Sequence, residues 1–520
     1  VITFSCSQLE AFGPMVALVG AGPGDPGLIT RLGAELLAQA DLVLYDRLVS
    51  PEILELAQIA RSMVCVDQLP GCHPDRIGAI GKAMVEAAQN GLRVVRLKGG
   101  DPILFGRCLE EVEPLTEQGI SYQIVPGVTA ALGAAAFAGI PVTDRRLASA
   151  VALITGHENP TKTDGNLDWQ ALARFPGTLV FYMAMARLEN MTTRLMGHGK
   201  SPDTPACIIA QATLPSQRVL VTTLGELVAK ARAADLRPPA ICMVGPVVDC
   251  RATMNWFDRR PLYGKRVLTC RPNVPEEKFG NSLVNRLRVM GASARNIPTL
   301  EIVPTAEIGL PGLSQGSSPQ WDWVVFSSQP GVQSFFAQLH QLGLDSRALA
   351  GAQVAAVGEQ TARALAQHGI RADCTNPGGN AESLAKQLLD KVQGRAVLLV
   401  RADRGREVLA QSLQPVCRLA QWTAYRQVNR LALNATEQAW LDEGPLDAVL
   451  LTSGNIASAL AEVLPPHQVE AIRAGKTAVY SLSPVTSESI KKLGWPIAGE
   501  AKEPSMAQLA EVVQKGLASS

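Results

Sequence analysis

No two cysteines in this 520-residue chain are spaced C-x-x-C, and its six histidines form no H-x-x-x-H. The ten cysteines lie scattered at Cys6, Cys65, Cys72, Cys108, Cys207, Cys242, Cys250, Cys270, Cys374 and Cys417. That scatter argues against zinc or an iron–sulfur cluster, so no metal is expected. It favours reduced, mostly buried thiols in a cytoplasmic protein. An excess of either charge is missing too: 48 Lys and Arg face 47 Asp and Glu, a net charge of +1. No global field recruits nucleic acid or a membrane surface, and an anionic ligand must be held by local arginines. There is no short-period repeat and no low-complexity tract. The first fourteen residues, VITFSCSQLEAFGP, begin without Met and lack the charged start and long apolar core of a signal peptide. They read as a leader or a cloning remnant. One stretch, Ile124 to Val142, carries no charge, yet it is broken by Pro126, Gly127, Gly133, Gly139 and Pro141 and is rich in alanine. A small-residue helix packed under a ligand fits it better than a membrane span.

The composition, 47% hydrophobic and 18% charged, is that of a globular protein with ample core. The length suggests three to four folding units. From Met15 onward, apolar strands alternate with helical spacing: MVALVG (15–20), DLVLYD (41–46), LRVVRLKGG (92–100) and ISYQIVPG (120–127). A second series follows with SAVALITG (149–156), GTLVFYM (177–183), PACIIAQA (205–212) and PAICMVG (239–245). This predicts two α/β lobes, about 15–125 and 126–250. Residues 251–263, RATMNWFDRRPLY, break the pattern and read as a linker. A fresh alternating run begins at KRVLTCR (265–271) and continues through WDWVVFSS (321–328), QVAAVGE (353–359), AVLLVRA (396–402), DAVLLTS (447–453) and TAVYSLS (477–483). Strands alternating with helices imply parallel sheets. The turn-rich segment 305–320 is expected to be a surface loop.

Four loop phrases in fixed order carry the chemistry: GAGPGDPGLIT (20–30), LYDRLVS (44–50), RLKGGDP (96–102) and VPGVTAA (125–131). Each sets Gly, Pro, Asp or Thr just after an apolar run, where open α/β sheets bind ligands. Together they describe one site built from several loops. The first invites a dinucleotide reading, but the third glycine of that fingerprint is Asp25 here, and Pro23 and Pro26 stiffen the turn.

These phrases, with FGR (105–107) and GIPVT (139–143), resemble the uroporphyrinogen-III C-methyltransferases of the tetrapyrrole methylase family over residues 15 to about 250. The resemblance implies two α/β lobes with S-adenosyl-L-methionine folded into the cleft between them. It also implies methyl transfer to two ring carbons of uroporphyrinogen III, giving precorrin-2, with S-adenosylhomocysteine as co-product. By resemblance, Pro23, Gly99, Gly100, Asp101, Leu104, Thr129, Ala130, Met183 and Ala212 line the cofactor pocket, and Asp46 is the catalytic base. Gly99 and Gly100 let backbone amides come close, and Asp101 can attract the cofactor's cationic amino end. The substrate carries eight carboxylates, for which Arg47, Arg107, Arg145 and Arg146 lie beside the motif loops; Arg binds carboxylate through paired donors. Four departures from the family pattern stand out. Gln68 occupies the place of a proton-donating lysine, Asp144 that of a histidine, and Cys108 and Ala212 those of glycines.

Residues 264–520 resemble uroporphyrinogen-III synthase through VVFSSQPGV (324–332), VGEQTARAL (357–365), LLVRADRGR (398–406), WTAYRQV (422–428) and LLTSGNIAS (450–458). That family has two α/β lobes joined by a two-strand neck, which predicts lobes of about 264–300 plus 429–520, and 301–428. Its reaction closes hydroxymethylbilane into a macrocycle while inverting the last ring. By resemblance Tyr425 assists departure of the hydroxyl. Arg401, Arg404 and Arg406 are expected to grip carboxylate arms, and Ser328 and Thr361 to hydrogen-bond the substrate. The drifted VYSLSPVTSES segment leaves contacts near Ser483 and Thr486 open. Fusion is coherent, because the product of the second half is the substrate of the first. The alternatives are a methylase of a later corrinoid with an attached synthase, and a tetrapyrrole sensor whose second half binds without turnover. The resemblance also suggests a homodimer through the methylase half, and leaves sirohaem and cobalamin both open as end products.

Overall fold

The computed structural model describes residues 16–518, apart from 58, 70–75, 157–166, 273–282, 306–309, 312–319, 377–380 and 406. Met15, Cys6, Cys72, Arg406 and most of the 305–320 segment lie outside the described residues. The chain divides into two compact units, 1–264 and 265–520.

The first unit holds two five-stranded sheets. In the first sheet all strands are parallel, in the order Ser62–Cys65, Leu42–Tyr45, Val94–Lys98, Val16–Gly20, Tyr122–Val125. Val16–Gly20 and Val94–Lys98 are buried throughout, because helices cover both faces. Since adjacent parallel strands end at one edge, the loops after 20, 45, 98 and 125 leave the sheet side by side.

The second sheet departs from the all-parallel expectation. Its order is Val151–Thr155, Thr178–Tyr182, Ala240–Val244, Pro205–Ala210, Arg218–Thr223, and only the first pair is parallel. The antiparallel hairpin Pro205–Ala210 with Arg218–Thr223 is the cause: a six-residue strand returns directly without a crossover helix. The alanine-rich stretch forms helix Ala130–Ala138, ended by Gly139 in the left-handed conformation, and is too short to span a bilayer. No helix among the described residues is long and apolar enough to cross a membrane.

Residues 251–263, expected as a linker, pack onto the first unit instead. Phe257 and Leu262 are fully buried. Trp256 Nε1 donates to the Ala136 carbonyl (2.9 Å), Arg251 bridges the Ala138 carbonyl and Asp258, and the Tyr263 hydroxyl donates to the Gln217 carbonyl. Trp256, Phe257, Tyr263 and Phe137 form a ring cluster, with the Arg260 guanidinium 3.8 Å above the Phe257 ring. The aromatic residues made this segment break the strand–helix pattern, and they are what fastens it down.

In the second unit, a parallel five-stranded sheet runs Ser293–Asn296, Arg266–Thr269, Ala448–Leu451, Ala478–Ser481, Gly499–Glu500. A six-stranded sheet runs Leu300–Pro304, Arg418–Asn429, Ala396–Ala402, Trp323–Phe326, Gln353–Ala356, Cys374–Thr375. It is parallel except for the pair Leu300–Pro304 and Arg418–Asn429. By that antiparallel pair the chain leaves the five-stranded lobe and comes back to it, a two-strand neck between two α/β lobes.

Candidate active site

Three loop backbones touch at the end of the first sheet. Gly22 and Gly100 exchange hydrogen bonds in both directions (3.1 and 2.8 Å). A Cβ on Gly127 would lie 2.2 Å from the Gly100 carbonyl oxygen, and one on Gly20 2.5 Å from the Gly127 amide nitrogen. Only glycine permits such contact. Beside it lies a cavity of about 430 Å³, whose wall includes Thr30, Asp101, Leu104, Gly127, Thr129 and Leu132. That is within the range of small-molecule sites.

Asp101 has an additional task. Its Oδ1 accepts the amides of Ile103 (2.9 Å) and Leu104 (3.2 Å), and its Oδ2 accepts that of Gly127 (3.0 Å). The carboxylate thus ties the GGDP loop to the VPGVT loop, which limits what it can offer a ligand's amino group. Thr129 begins helix Ala130–Ala138 without capping it. The cap comes from the other lobe: the Tyr182 hydroxyl accepts the Ala131 amide (3.0 Å) and bonds Thr129 Oγ (2.6 Å). Burial pushes the Tyr182 phenol up, and Thr129 partly offsets this. Leu104, Ala130 and Ala212 pack against one apolar cluster. Pro23 fills the notch at Gly133, where a Cβ would be 2.5 Å from its Cγ. Met183, half exposed, follows Tyr182 with φ +54°.

A second tie joins the lobes. The Asp25 amide donates to Thr213 Oγ (3.0 Å), the Thr213 amide to Gln217 Oε1 (2.9 Å), and Gln217 Nε2 to the Phe137 carbonyl (3.2 Å). Of the six non-glycine residues with positive φ among the described residues, five, Phe105, Arg107, Met183, Gln211 and Thr213, lie in the loops that border this cleft; the sixth is Asp235. Backbone strain of this kind concentrates at ligand sites.

Asp46 follows strand Leu42–Tyr45 with its side chain 30% exposed. Its Oδ1 receives Arg96 Nη2 at 2.5 Å, and its Oδ2 receives the Gly99 amide at 3.3 Å. Arg96 belongs to a charge cluster that the motif reading passed over. Arg96 and Lys98 alternate on one face of strand Val94–Lys98, and Glu111 of helix Cys108–Glu117 packs opposite them. Arg96 forks onto Glu111 (Nε–Oε2 3.1 Å, Nη2–Oε1 3.0 Å), and Lys98 Nζ lies 2.5 Å from the same Oε1. All three are nearly inaccessible. Two cations and two carboxylates balance, as a buried cluster requires. Burial works against the Arg96 charge, but Asp46 and Glu111 outweigh it and raise its pKa; burial and then Arg96 push the Lys98 ammonium below its usual range. Removing one member would cost about 3–5 kcal/mol. The signal was present in the sequence: two cations inside an apolar strand, RLK, need acidic partners, and EE follows in the next helix.

The arginines expected to meet substrate differ. Arg47 and Arg145 are exposed, with no ion pair among the described residues. Arg107 pairs with Glu110 (2.5 Å) and Arg146 with Asp144 (3.1 Å). The Arg146 side chain holds the Asp144 carboxyl below its usual range. Gln68 is exposed at the end of the turn Val66–Gln68, and Cys108 is buried at the start of its helix.

In the second unit, Tyr425 lies in the neck, 4% exposed, its hydroxyl 3.0 Å from Ser328 Oγ. Burial pushes this phenol up, and Ser328 partly offsets the effect. Ser328 also caps helix Gln329–Gln341 through the Gly331 amide. Thr361, expected to hydrogen-bond the substrate, lies inside helix Glu359–Gln367, 3% exposed, and its hydroxyl donates to the Val357 carbonyl (3.0 Å). Arg401 is largely consumed by Gln421 Oε1 (3.0 Å) and the carbonyls of Ala402 and Gly405. Arg404 bonds Asn429 (2.9 Å). Ser483 caps helix Pro484–Lys492 and bonds Thr486 Oγ (3.1 Å).

Residues 15–228 match the family model of tetrapyrrole (corrin/porphyrin) methylases, and residues 281–511 that of uroporphyrinogen-III synthase HemD. A relative from Ruminiclostridium josui, porphyrin biosynthesis protein HemD, is 38% identical over 387 residues, 74% of this chain and 75% of its own length. The uroporphyrinogen-III C-methyltransferase of Bacillus subtilis (strain 168) is 38% identical over 365 residues, 70% of this chain and 73% of its own. Among solved structures, the Thermus thermophilus uroporphyrin-III C-methyl transferase complexed with S-adenyl homocysteine is 36% identical. It spans 45% of this chain and 93% of its own, with a TM-score of 0.38.

Proposed function

Since the chain belongs to the tetrapyrrole methylases, with a uroporphyrinogen-III synthase domain behind the methylase, we propose that it converts hydroxymethylbilane to precorrin-2 in two stages. The second unit closes the linear tetrapyrrole to uroporphyrinogen III, and the first methylates that product twice. The chain is accordingly a bifunctional enzyme of tetrapyrrole biosynthesis, an S-adenosylmethionine-dependent methyltransferase and a synthase. Precorrin-2 lies before sirohaem and cobalamin alike.

The observation that carries this reading is the meeting of Gly20, Gly100 and Gly127 beside a cavity, with Asp46 bonded to the neighbouring Gly99 amide. The residues fit a compact methyl donor: bare backbone on one side, and apolar Leu104 and Leu132 with the Thr129 hydroxyl on the other. S-Adenosylmethionine supplies an electrophilic methyl group when bound. The chain's own share is alignment, worth up to about 7–11 kcal/mol in well-oriented reactions. Pro23, the Asp101-tied loops and the Tyr182 cap hold the pocket wall in place. Asp46, whose Oδ2 carries only the longer Gly99 contact among the described residues, can take the proton that the macrocycle must lose once one of its substituted ring carbons has been methylated. Arg47 and Arg145, with no ion pair among the described residues, are placed for the substrate's carboxylates. In the second unit, Tyr425 stays protonated beyond the ordinary phenol range and can donate to the departing hydroxyl.

Self-association through the first unit belongs to the same proposal. The sheet-edge strands Tyr122–Val125 and Val151–Thr155 expose Tyr122, Ile124, Val151 and Leu153, an apolar surface suited to a second copy. Light scattering of the purified chain tests it, and a monomer at micromolar concentration would refute it. Mass spectrometry of products from hydroxymethylbilane plus S-adenosylmethionine tests the main reading. A tetrapyrrole heavier than uroporphyrinogen III by two CH2 units, the mark of two methyl groups each gained for a lost proton, is expected. Unmethylated uroporphyrinogen III would remove the first activity; chromatographic separation of the porphyrin isomers, which share one mass, showing type I alone would remove the second.

A further inference from the structure

We infer that Arg96, locked by Glu111, is the positioning residue that aims Asp46 into the cleft; this rests on the reading of Asp46 as the base. The guanidinium has five N–H donors, and each has an acceptor. Nε and one Nη2 hydrogen go to Glu111, the other Nη2 hydrogen goes to Asp46, and Nη1 serves the carbonyls of Leu97 (3.0 Å) and Leu44 (3.5 Å). No donor remains for a ligand, and the side chain is 2% exposed. Arg96 is therefore no carboxylate receptor for the acidic substrate, unlike the arginines on the loops.

The consequence for Asp46 is directional. Oδ1 is fixed at 2.5 Å by Arg96, while Oδ2, among the described residues, has only the longer contact to the Gly99 amide, and the side chain remains 30% exposed. Arg96 is in turn fixed by Glu111, and Glu111 by Lys98. Glu111 sits on the helix that follows the Phe105–Arg107 turn, next along the chain from the cavity wall at Leu104. One cluster thus links the pocket wall to the orientation of the base. Mere charge balance would ask only for a cation at position 96. Aiming asks for a planar fork that spans two carboxylates, which an ammonium group does not supply.

Arg96→Lys in the full chain separates the two roles. Turnover of methyl transfer should fall by about 30-fold or more, since misplacement of a reacting group by ~1 Å can cost ~100-fold. Affinity for S-adenosylhomocysteine by calorimetry and KM for uroporphyrinogen III should each stay within about threefold, below ~0.7 kcal/mol. Glu111→Gln should show the same split more weakly. Turnover of Arg96→Ala should recover when guanidinium ion is added, whereas Asp46→Asn should not respond. Should Arg96→Ala fail to fold, the Lys and Gln variants decide. Arg96→Lys turnover within about twofold of the wild type, or a turnover loss matched by lost cofactor affinity, overturns the positioning role alone. If the wild-type chain transfers no methyl group, the functional reading falls and takes this inference with it.

Discussion

Removing the Tyr182 hydroxyl tests whether the two lobes of the first unit are fastened where the pocket needs them. Tyr182→Phe keeps the ring, which packs edge-on against Phe105 at 5.1 Å. It deletes the bond to Thr129 Oγ and leaves the fully buried Ala131 amide without its acceptor. A lost neutral hydrogen bond costs about 0.5–1.5 kcal/mol and a stranded buried donor about 1–3 kcal/mol. Taken together, and allowing for overlap, the loss should be about 2 kcal/mol. For a unit of this size that lowers the melting temperature by about 4–8 °C. Both partners flank the cavity wall, so part of the loss reappears on binding, as an affinity for S-adenosylhomocysteine weakened about three- to tenfold. Differential scanning calorimetry and calorimetric titration read the two quantities on one sample. A melting temperature within 1 °C of wild type, with unchanged affinity, would refute the idea that this hydroxyl caps the helix from across the cleft.

Asp46→Asn should abolish methyl transfer, a loss of about 10²–10⁴-fold for a general base, while cofactor affinity stays nearly intact; unchanged turnover removes Asp46 from the mechanism. Gly127→Ala places a methyl group 2.2 Å from the Gly100 carbonyl oxygen, so a destabilisation of about 1–3 kcal/mol and a displaced loop should appear in urea unfolding, and wild-type stability would contradict the close approach. Burial, with Asp258 beside it, pushes the Tyr263 phenol from 10 up to about 12. Because that pKa is raised on folding, its stabilisation is complete below pH 10 and is lost as pH rises through 12. The stability difference between wild type and Tyr263→Phe should therefore be flat below pH 10 and narrow above it; a difference independent of pH throughout would be the contrary result. Tyr425→Phe should shift the product of hydroxymethylbilane toward the type I isomer without unfolding the neck, and an unaltered isomer ratio would exclude the phenol from the synthase step.

What was legible in the sequence follows burial. Strands covered on both faces, such as Val16–Gly20, Val94–Lys98 and Ala448–Leu451, are continuous apolar runs and stand out by eye. Six of the strands that escaped notice, Ser62–Cys65, Arg218–Thr223, Ser293–Asn296, Leu300–Pro304, Cys374–Thr375 and Gly499–Glu500, lie at sheet edges, where half-exposed positions take polar residues; a seventh, Arg418–Asn429, is interior but mostly half-exposed and polar as well. The glycine and proline loops announced a common crevice because each interrupts an apolar run. Their partners did not, since Tyr182, Thr213 and Gln217 act through hydrogen bonds between residues 50 or more positions apart. Arg96 and Lys98 were open to inference from charge alone, but a motif that names glycines draws the eye past them. Thr361, expected at a turn, lies in the first turn of its helix instead, and its bond to the Val357 carbonyl has no signature in the sequence.

The neck of the second unit has a bearing on synthesis. All six strands of the inserted lobe fall between residues 300 and 429, so that lobe is complete when the chain emerging from the ribosome reaches the end of Arg418–Asn429. Among the described residues its companion then owns Arg266–Thr269 and Ser293–Asn296, and must wait for Ala448–Leu451, Ala478–Ser481 and Gly499–Glu500. A nascent chain that has emerged as far as about residue 440 would carry one finished lobe and a two-strand fragment exposing Leu268, Cys270 and Ile297, a substrate for chaperones or proteases.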